Sequence, residues 1–310
     1  MLNLFAVAAI NGGDRGECIQ FHEVLLVTGY WFLVSGFWFL VPCSLFLVPC
    51  SLFLYLCPAK ITQLSKIRVG IVNYLNTKPL LYGLEKPPVS ELIEMVGDYP
   101  ARLAQMLMNG EIDVGLVPIA VLPTLREYYI VGEYCIGAEG EIASVALFSE
   151  VPMTDIKKVY LDYQSLTSVA LLKWLMKEYW GINPEIVVAI NEDYRQEIKG
   201  TTAGLVIGDR AFEQRKISTF IYDLGSEWRS ITGLPFVFAA WVSTRQLPEE
   251  FIKLFDVANA KGLQHIDEIV ADEAFDLYDL KKYYSLHLSY RLDERKREGM
   301  SYFLQVIKES

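Results

Sequence analysis

Short apolar runs rich in β-branched residues recur along the chain from about residue 66, and most of them end in polar residues. Residues 67–72 (IRVGIV) and 112–117 (IDVGLV) have the length and composition of buried strands in a parallel sheet. Between them, residues 98–110 have the apolar spacing of a helix, with Asp98 as an N-cap and Gly110 as a stop. The pattern predicts two parallel strands joined by a helix.

The same alternation continues toward the C-terminus, and it predicts an α/β fold with mainly parallel sheets. Ligands of such folds bind beyond the carboxyl ends of the strands, so the polar turns at those ends are of most interest. We expect two lobes with a cleft between them, the first formed by residues 66–150 and 236–310 and the second by residues 151–235. Further strands are predicted at residues 144–149, 159–162, 204–208 and 236–242, and helices at residues 165–179, 248–260 and most of 268–308.

Residues 1–65 have a different character from the rest of the chain. Residues 24–59 carry no charge and exceed the roughly 20 apolar residues that cross a bilayer, which favours a transmembrane helix. However, residues 40–46 and 47–53 are identical in sequence, and each copy contains a proline that would interrupt a helix. The repeat is typical of a duplicated DNA tract.

Two interpretations of this extension remain. The first is an incorrectly assigned start, with the true start between residues 64 and 69. The second is a membrane anchor through residues 24–59, in which case Lys60, Lys66 and Arg68 would place the globular part on the cytoplasmic side. Both interpretations predict a cytoplasmic globular part.

Charge and motif content exclude several classes of function. The 28 basic and 38 acidic side chains give a formal net charge of −10, which argues against a nucleic-acid-binding surface. Of the five cysteines only Cys135 lies outside the first 65 residues, and the three histidines are scattered. The sequence also has no phosphate-binding glycine loop, HExxH, GxSxG or CxxC motif. The common metal and cofactor enzymes are therefore not indicated.

A series of segments in fixed order resembles the chorismate dehydratase family. The resemblance covers about residue 66 to the C-terminus, with one departure at Leu166, where the family usually has arginine. The segments are residues 72–80 (VNYLNTKPL), 110–118 (GEIDVGLVP), 144–152 (SVALFSEVP), 161–168 (LDYQSLTS), 207–209 (IGD), 223–228 (DLGSEW), 232–239 (TGLPFVFA) and 290–293 (YRLD).

This resemblance implies a type II periplasmic-binding-protein-like fold and a specific reaction. The family removes water from chorismate to give 3-[(1-carboxyvinyl)oxy]benzoate in the futalosine route to menaquinone, a lyase reaction without metal or organic cofactor. Loss of the C3 hydrogen and the C4 hydroxyl makes the ring aromatic. The protein therefore has mainly to orient a dianion and to stabilise delocalised negative charge.

The candidate site residues come from the polar turns of the family segments. Asn76 and Ser144 are the candidate catalytic residues, because an amide and a hydroxyl can hold a carboxylate or the departing hydroxyl. No strong base stands in these segments, so a carboxylate of the substrate itself is the candidate base. The candidate substrate-binding residues, which can also be explained as helix caps or turn residues, are Thr77, Ser165, Thr167, Ser168 and Asp209.

Two alternative functions share the fold. A solute-binding protein for a small anion would need an export signal, which the N-terminus does not clearly provide. The sister enzyme that forms 1,4-dihydroxy-6-naphthoate has a Ser-Pro-Cys-Pro-Asn-type turn after its first strand, whereas residues 73–77 here read Asn-Tyr-Leu-Asn-Thr.

We expect turnover to survive exhaustive chelation, because the globular part has no cluster of histidine, cysteine and carboxylate at ligand spacing. The measurement is the rate with chorismate before and after dialysis against EDTA. Loss of activity that a stoichiometric metal restored would contradict this expectation.

Overall fold

The computed structural model describes residues 4–7, 22–27, 30–33 and 66–309. The chain divides into two compact units, Met1–Ser65 and Lys66–Ser310. In the first unit, strands β1 (Leu4–Val7), β2 (His22–Val27) and β3 (Tyr30–Leu33) form an antiparallel sheet in the order β1-β2-β3.

Strands β2 and β3 overlap the predicted membrane helix over residues 24–59. That prediction is wrong for residues 24–27 and 30–33, and the remainder lies outside the described residues. These strands are rich in valine, tyrosine, tryptophan and phenylalanine, which favour β-strands. Hydrophobicity alone therefore does not distinguish a strand from a membrane helix here. Among the residues that the structure describes, no helix combines the length and the hydrophobicity needed to span a membrane.

The second unit contains two mixed sheets. The six-stranded sheet has the order β14-β7-β13-β6-β4-β5. Strand β4 is parallel to β5 and β6, whereas β13 is antiparallel to β6 and β7, and β14 is antiparallel to β7. Its strands are β4 (Ile67–Ile71), β5 (Ile93–Gly97), β6 (Val114–Pro118), β7 (Tyr129–Ala138), β13 (Phe236–Ser243) and β14 (Ser289–Arg291).

The five-stranded sheet has the order β10-β9-β11-β8-β12. Strand β9 is parallel to β10 and β11, whereas β8 is antiparallel to β11 and β12. Its strands are β8 (Val145–Ser149), β9 (Lys158–Leu161), β10 (Glu185–Val188), β11 (Thr202–Ile207) and β12 (Phe220–Asp223).

The predicted α/β class is confirmed, but each sheet is mixed instead of mainly parallel. The reason is that β8 and β13 follow the two segments in which the chain passes from one sheet to the other, and each pairs antiparallel with its neighbours. Strand β8, which we assigned to the first lobe, belongs to the five-stranded sheet. The first passage therefore lies at residues 139–144, before β8 and not after it.

Helices cover these sheets, and those that the sequence predicts at residues 98–110, 165–179 and 248–260 begin within two residues of the expected positions. The helix predicted over most of residues 268–308 is interrupted by β14. Ser165 caps α4 by accepting a hydrogen bond from Ser168 N–H, as predicted, whereas Asp98 is displaced by Tyr99 as the N-cap of α3. The helices are α1 (Lys78–Leu84), α2 (Val89–Leu92), α3 (Pro100–Met108), α4 (Leu166–Trp174), α5 (Arg210–Ile217), α6 (Leu224–Thr232), α7 (Glu249–Leu263), α8 (Ile266–Asp272), α9 (Leu280–Lys282) and α10 (Glu294–Glu309).

We expect a chain that begins at Ser65 to fold, because the buried apolar clusters of the second unit consist of side chains between Val69 and Phe303. Cooperative urea unfolding, followed by circular dichroism, measures this. If the shortened chain aggregated while the full chain in detergent stayed folded, residues 1–64 would be an integral part of the fold.

Candidate functional site

A cavity that contains about 460 Å³ of empty space, part of it open to solvent, lies between the two sheets. Both sheets contribute to its walls: the turn after β4 and residues of β13 come from one side, and the start of α4 and the end of β11 come from the other. The lining residues are Val72, Tyr74, Asn76, Thr77, Pro100, Leu116, Pro118, Ile136, Val145, Ser165, Ser168, Ile207, Gly208, Phe238 and Ala239.

The lining combines a small set of hydroxyl and amide groups with an apolar wall. None of the described residues that line the cavity has a charged side chain. Phe238 forms part of the wall, whereas Trp228 is buried in the core against Phe236 and Phe303.

The turn after β4 presents Asn76 to the cavity. Asn76 Oδ1 is buried and has no hydrogen-bond partner among the described residues, which is unusual for a buried polar atom and typical of a group that binds a ligand. Tyr290 Oη donates to the Asn76 carbonyl over 3.1 Å and so fixes the backbone of the turn. This contact gives the tyrosine of the YRLD segment, Tyr290, a structural role at the site.

Thr77 lies in the same turn but has local partners. Its Oγ1 is 2.5 Å from the Val72 carbonyl oxygen and 2.8 Å from the Tyr74 carbonyl oxygen. Its single hydroxyl proton is therefore engaged by the backbone. Thr77 lines the cavity and stabilises the turn that holds Asn76.

The start of α4 forms the opposite wall. Ser165 Oγ accepts from Ser168 N–H at 3.1 Å and lies 2.8 Å from Ser168 Oγ, and both serines line the cavity. The nine-residue helix adds partial positive charge at this end, which favours an anion. Leu166, where the family usually has arginine, is 41% exposed and is not one of the lining residues.

Thr167 faces away from the cavity, although the sequence placed it among the substrate-binding candidates. Its Oγ1 accepts from Ala120 N–H at 3.2 Å, so that it joins α4 to the segment that follows β6. It stabilises the contact between the lobes.

Ser144 directly precedes β8 and is completely buried. Tyr283 Oη donates to Ser144 Oγ over 2.6 Å, and burial raises the pKa of Tyr283 well above its ordinary value, so the phenol stays protonated. Because Tyr283 is the donor in this hydrogen bond, the hydroxyl of Ser144 can donate its own hydrogen to another acceptor. Ser144 is not itself among the lining residues, but Val145 is, and the Ser144 carbonyl accepts from Gly208 N–H at 2.8 Å.

Asp209 also lies outside the lining, because its carboxylate is directed at the other lobe. Asp209 Oδ1 accepts from Leu75 N–H at 3.0 Å. Burial raises the pKa of Asp209 to about 6, and the hydrogen bond from Leu75 opposes this shift only in part. Asp209 thus links the end of β11 to the turn after β4.

A second link between the lobes was not predicted from the sequence. Tyr74 Oη donates to Gln164 Oε1, which also accepts from Arg210 Nη2 at 2.9 Å. Arg210 in turn bonds Asp162 at 2.8 Å. Tyr74 and Gln164 both lie in the family segments, whereas Tyr283 lies in no such segment and gave no local signal.

Gly208 directly follows β11, and the ring of Tyr74 packs against its backbone. Its φ of +66° is in the left-handed region, and a Cβ atom there would lie 3.3 Å from the ring of Tyr74. Glycine therefore permits both the turn and the close approach of the ring.

Comparison with known proteins agrees with this architecture. A protein family described as menaquinone biosynthesis matches residues 67–309. The chain belongs to this family. The resemblance that the sequence segments indicate is confirmed.

Two relatives of this chain are chorismate dehydratases. The chain is 28% identical over 262 residues to that of Thermus thermophilus, which covers 77% of this chain and 94% of the relative. It is 24% identical over 247 residues to that of Campylobacter jejuni, covering 77% and 96%.

Solved structures confirm the fold of residues 66–309. A protein of Archaeoglobus fulgidus superposes with a TM-score of 0.64 at 17% identity, over 79% of this chain and 97% of its own. A Candida albicans protein with the generic periplasmic binding protein structural fold superposes with a TM-score of 0.54 at 14% identity, over 80% and 91%. The predicted periplasmic-binding-protein-like fold is confirmed.

We expect Asp209→Asn to stabilise the protein at neutral pH. The folded pKa of about 6 exceeds the unfolded value near 3.9, so the stability contributed by protonated Asp209 falls as the pH rises from about 4 to about 6. Asparagine can still accept from Leu75 N–H and carries no buried charge. The variant should gain about 2 kcal/mol above pH 6 and nothing near pH 4.

Urea unfolding between pH 4 and pH 7 measures this difference. Asp272→Asn, which removes an exposed carboxylate at the end of α8, controls for the loss of one negative charge. A variant that was less stable than the wild type at pH 7 would show that the charged form of Asp209 stabilises the fold.

Proposed function

We propose that this protein is a chorismate dehydratase that converts chorismate to 3-[(1-carboxyvinyl)oxy]benzoate and water. Membership of the menaquinone biosynthesis family and the names of the two relatives support this substrate and reaction. Those names also favour it over the sister enzyme that forms 1,4-dihydroxy-6-naphthoate.

The observation that carries the proposal is the composition of the cavity, in which neutral hydrogen-bond donors stand on two opposite walls. Asn76 lies on one wall, and Ser165 and Ser168 lie with the N-terminus of α4 on the other. Chorismate has a carboxylate on its ring and another on its enolpyruvyl group. The two walls can therefore hold the two carboxylates of one substrate molecule and fix the ring between them.

The bond changes of the reaction require no covalent participation of the protein. The C3–H bond breaks and its electron pair forms the C3–C4 double bond, while the C4–O bond breaks, and the proton and hydroxide leave as water. The C3 hydrogen is acidified through the ring double bond by the ring carboxylate, and aromatisation drives the elimination. The protein lowers the barrier mainly by orientation and by stabilising the delocalised charge.

The base is a group of the substrate in this proposal. Among the described residues that line the cavity there is no carboxylate, histidine or lysine. The enolpyruvyl carboxylate, folded toward C3, takes the proton. Asn76 and Ser144 set its position, the first by donating a hydrogen bond from its amide Nδ2 and the second by donating from the hydroxyl that accepts from Tyr283.

We expect Asn76→Ala and Ser144→Ala to fold normally and to dehydrate chorismate about a hundredfold more slowly, because a misplacement of about one ångström has that effect on rate. The assay follows a product lighter than chorismate by one water. His265→Ala is the control, since His265 bonds Lys261 within α7 and stacks on Tyr82 outside the cavity.

His287 is a less suitable control than His265, because it is buried and bonded to other segments. The side chain is buried, with Nε2 2.8 Å from Tyr278 Oη and Nδ1 3.2 Å from the carbonyl oxygen of Glu141. If the wild type left chorismate unchanged, the proposed function would be wrong. If His265→Ala lost turnover while Asn76→Ala and Ser144→Ala kept it, the assignment of the site would be wrong.

A further inference from the structure

The DLGSEW segment at residues 223–228 contributes nothing to the lining of the cavity, yet its aspartate is unusually well bonded. Asp223 Oδ1 accepts from Gly225 N–H and Ser226 N–H, each at 3.1 Å, and thereby caps α6. The same oxygen accepts from Ile142 N–H at 3.1 Å. Asp223 therefore bonds a second segment, the passage from the first sheet to the second.

The other oxygen of Asp223 holds a strained residue in this passage. Asp223 Oδ2 accepts from Ala143 N–H at 2.9 Å and from Arg215 Nη2 at 3.0 Å. Arg215 Nε donates to the carbonyl of Ala143 over 2.6 Å. The partly buried Asp223–Arg215 ion pair thus bonds both backbone groups of Ala143, Asp223 its N–H and Arg215 its carbonyl.

Ala143 has a φ of +63°, the one positive value of a non-glycine residue in the part of the chain that the structure describes. Ser144 N–H donates to the carbonyl of Ile142 over 2.8 Å, which closes a three-residue γ-turn around Ala143. A γ-turn with positive φ is rare and strained for a residue with a side chain. Such a conformation persists only where the surrounding structure enforces it.

Gly225 brings the start of α6 against this turn. A Cβ atom at Gly225 would lie 2.3 Å from the carbonyl oxygen of Gly140, so only glycine permits this approach. Two residues of the segment therefore hold this turn, and together they are called the clamp. Asp223 accepts hydrogen bonds from the turn, and Gly225 leaves room for the turn to pack against α6.

The residue that leaves the turn is Ser144. Its carbonyl accepts a hydrogen bond from Gly208 N–H, and its hydroxyl oxygen accepts one from Tyr283 Oη. If Ala143 relaxed to negative φ, the peptide that precedes Ser144 would rotate and its hydroxyl would be displaced.

We infer that Asp223, together with Arg215, is a positioning residue for dehydration: it holds Ala143 in the left-handed turn and thereby directs the hydroxyl of Ser144 toward the substrate. The inference rests on the proposed function of Ser144. Asp223 itself does not touch the substrate in this arrangement.

The principal test is Asp223→Asn, which replaces one of the two acceptor oxygens with an NH2 group. Asparagine cannot accept on both sides, so it cannot cap α6 and also hold Ala143 and Arg215. We expect kcat for chorismate to fall about thirtyfold, with KM within about twofold, because orientation is lost and the cavity walls are kept.

A rescue by Ala143→Gly separates positioning from a general structural role. Glycine adopts positive φ without steric cost, so the turn no longer needs the clamp. In the Asp223→Asn background it should restore kcat about tenfold. Ala271→Gly in the same background removes a methyl group from exposed residue 271 of α8 and should restore nothing.

Arg215→Met provides a second variant if Asp223→Asn does not fold. It removes the bonds to Ala143 and Asp223 and leaves the carboxylate cap of α6 in place. The same loss of kcat and the same rescue by Ala143→Gly are expected.

A double variant tests whether Asp223 acts through Ser144. In a Ser144→Ala background, Asp223→Asn should reduce kcat by less than about threefold, since the group that it positions is gone. Full additivity, or failure of Ala143→Gly to restore kcat, would overturn the inference.

The outcomes also separate this inference from the proposed function. An active wild type with a fully active Asp223→Asn variant would overturn the positioning role alone. A wild type that does not dehydrate chorismate would overturn the proposed function, and the positioning role with it.

Discussion

Hydrogen bonds between the two lobes determine the shape of the cavity, and the rest of the site depends on them. Leu75 N–H bonds Asp209, and Tyr74 bonds Gln164, so that the turn after β4 is held against the end of β11 and the start of α4. A side chain that makes such a bond is not available to the substrate. Gln164 and Asp209 therefore join the lobes without lining the cavity, and Tyr74 does both. Asn76, Ser165 and Ser168 line the cavity.

This division explains which parts of the site the sequence predicts. The cap by Ser165 and the position of Asn76 in the turn after β4 are encoded within a few residues, and both were predicted. The pairing of Tyr74 with Gln164 joins residues 90 positions apart, and no local pattern specifies it. The same limit applies to Asp209, whose type and position suit a ligand contact as well as they suit a bond to Leu75.

The sheet assignments follow the same rule. Strand β8 was predicted as a strand from its apolar run, but a strand pattern does not identify its partners. Its pairing with β11 and β12 arises because the chain passes between the lobes before β8 and not after it. Ala143 is a further case, since alanine gives no signal for positive φ, and the side chains that bond its N–H and its carbonyl, Asp223 and Arg215, are distant in sequence.

The insertion of one lobe into the other has a consequence for the order of folding. Strand β13 lies between β7 and β6 in the six-stranded sheet, but residues 139–235 separate β7 from β13 along the chain. During synthesis the second lobe emerges complete while the first still lacks a central strand. Contacts of such long sequence separation form slowly, so β6 and β7 keep exposed edges until β13 arrives. The nascent first lobe is thus the part of this protein that most needs protection from aggregation on the ribosome.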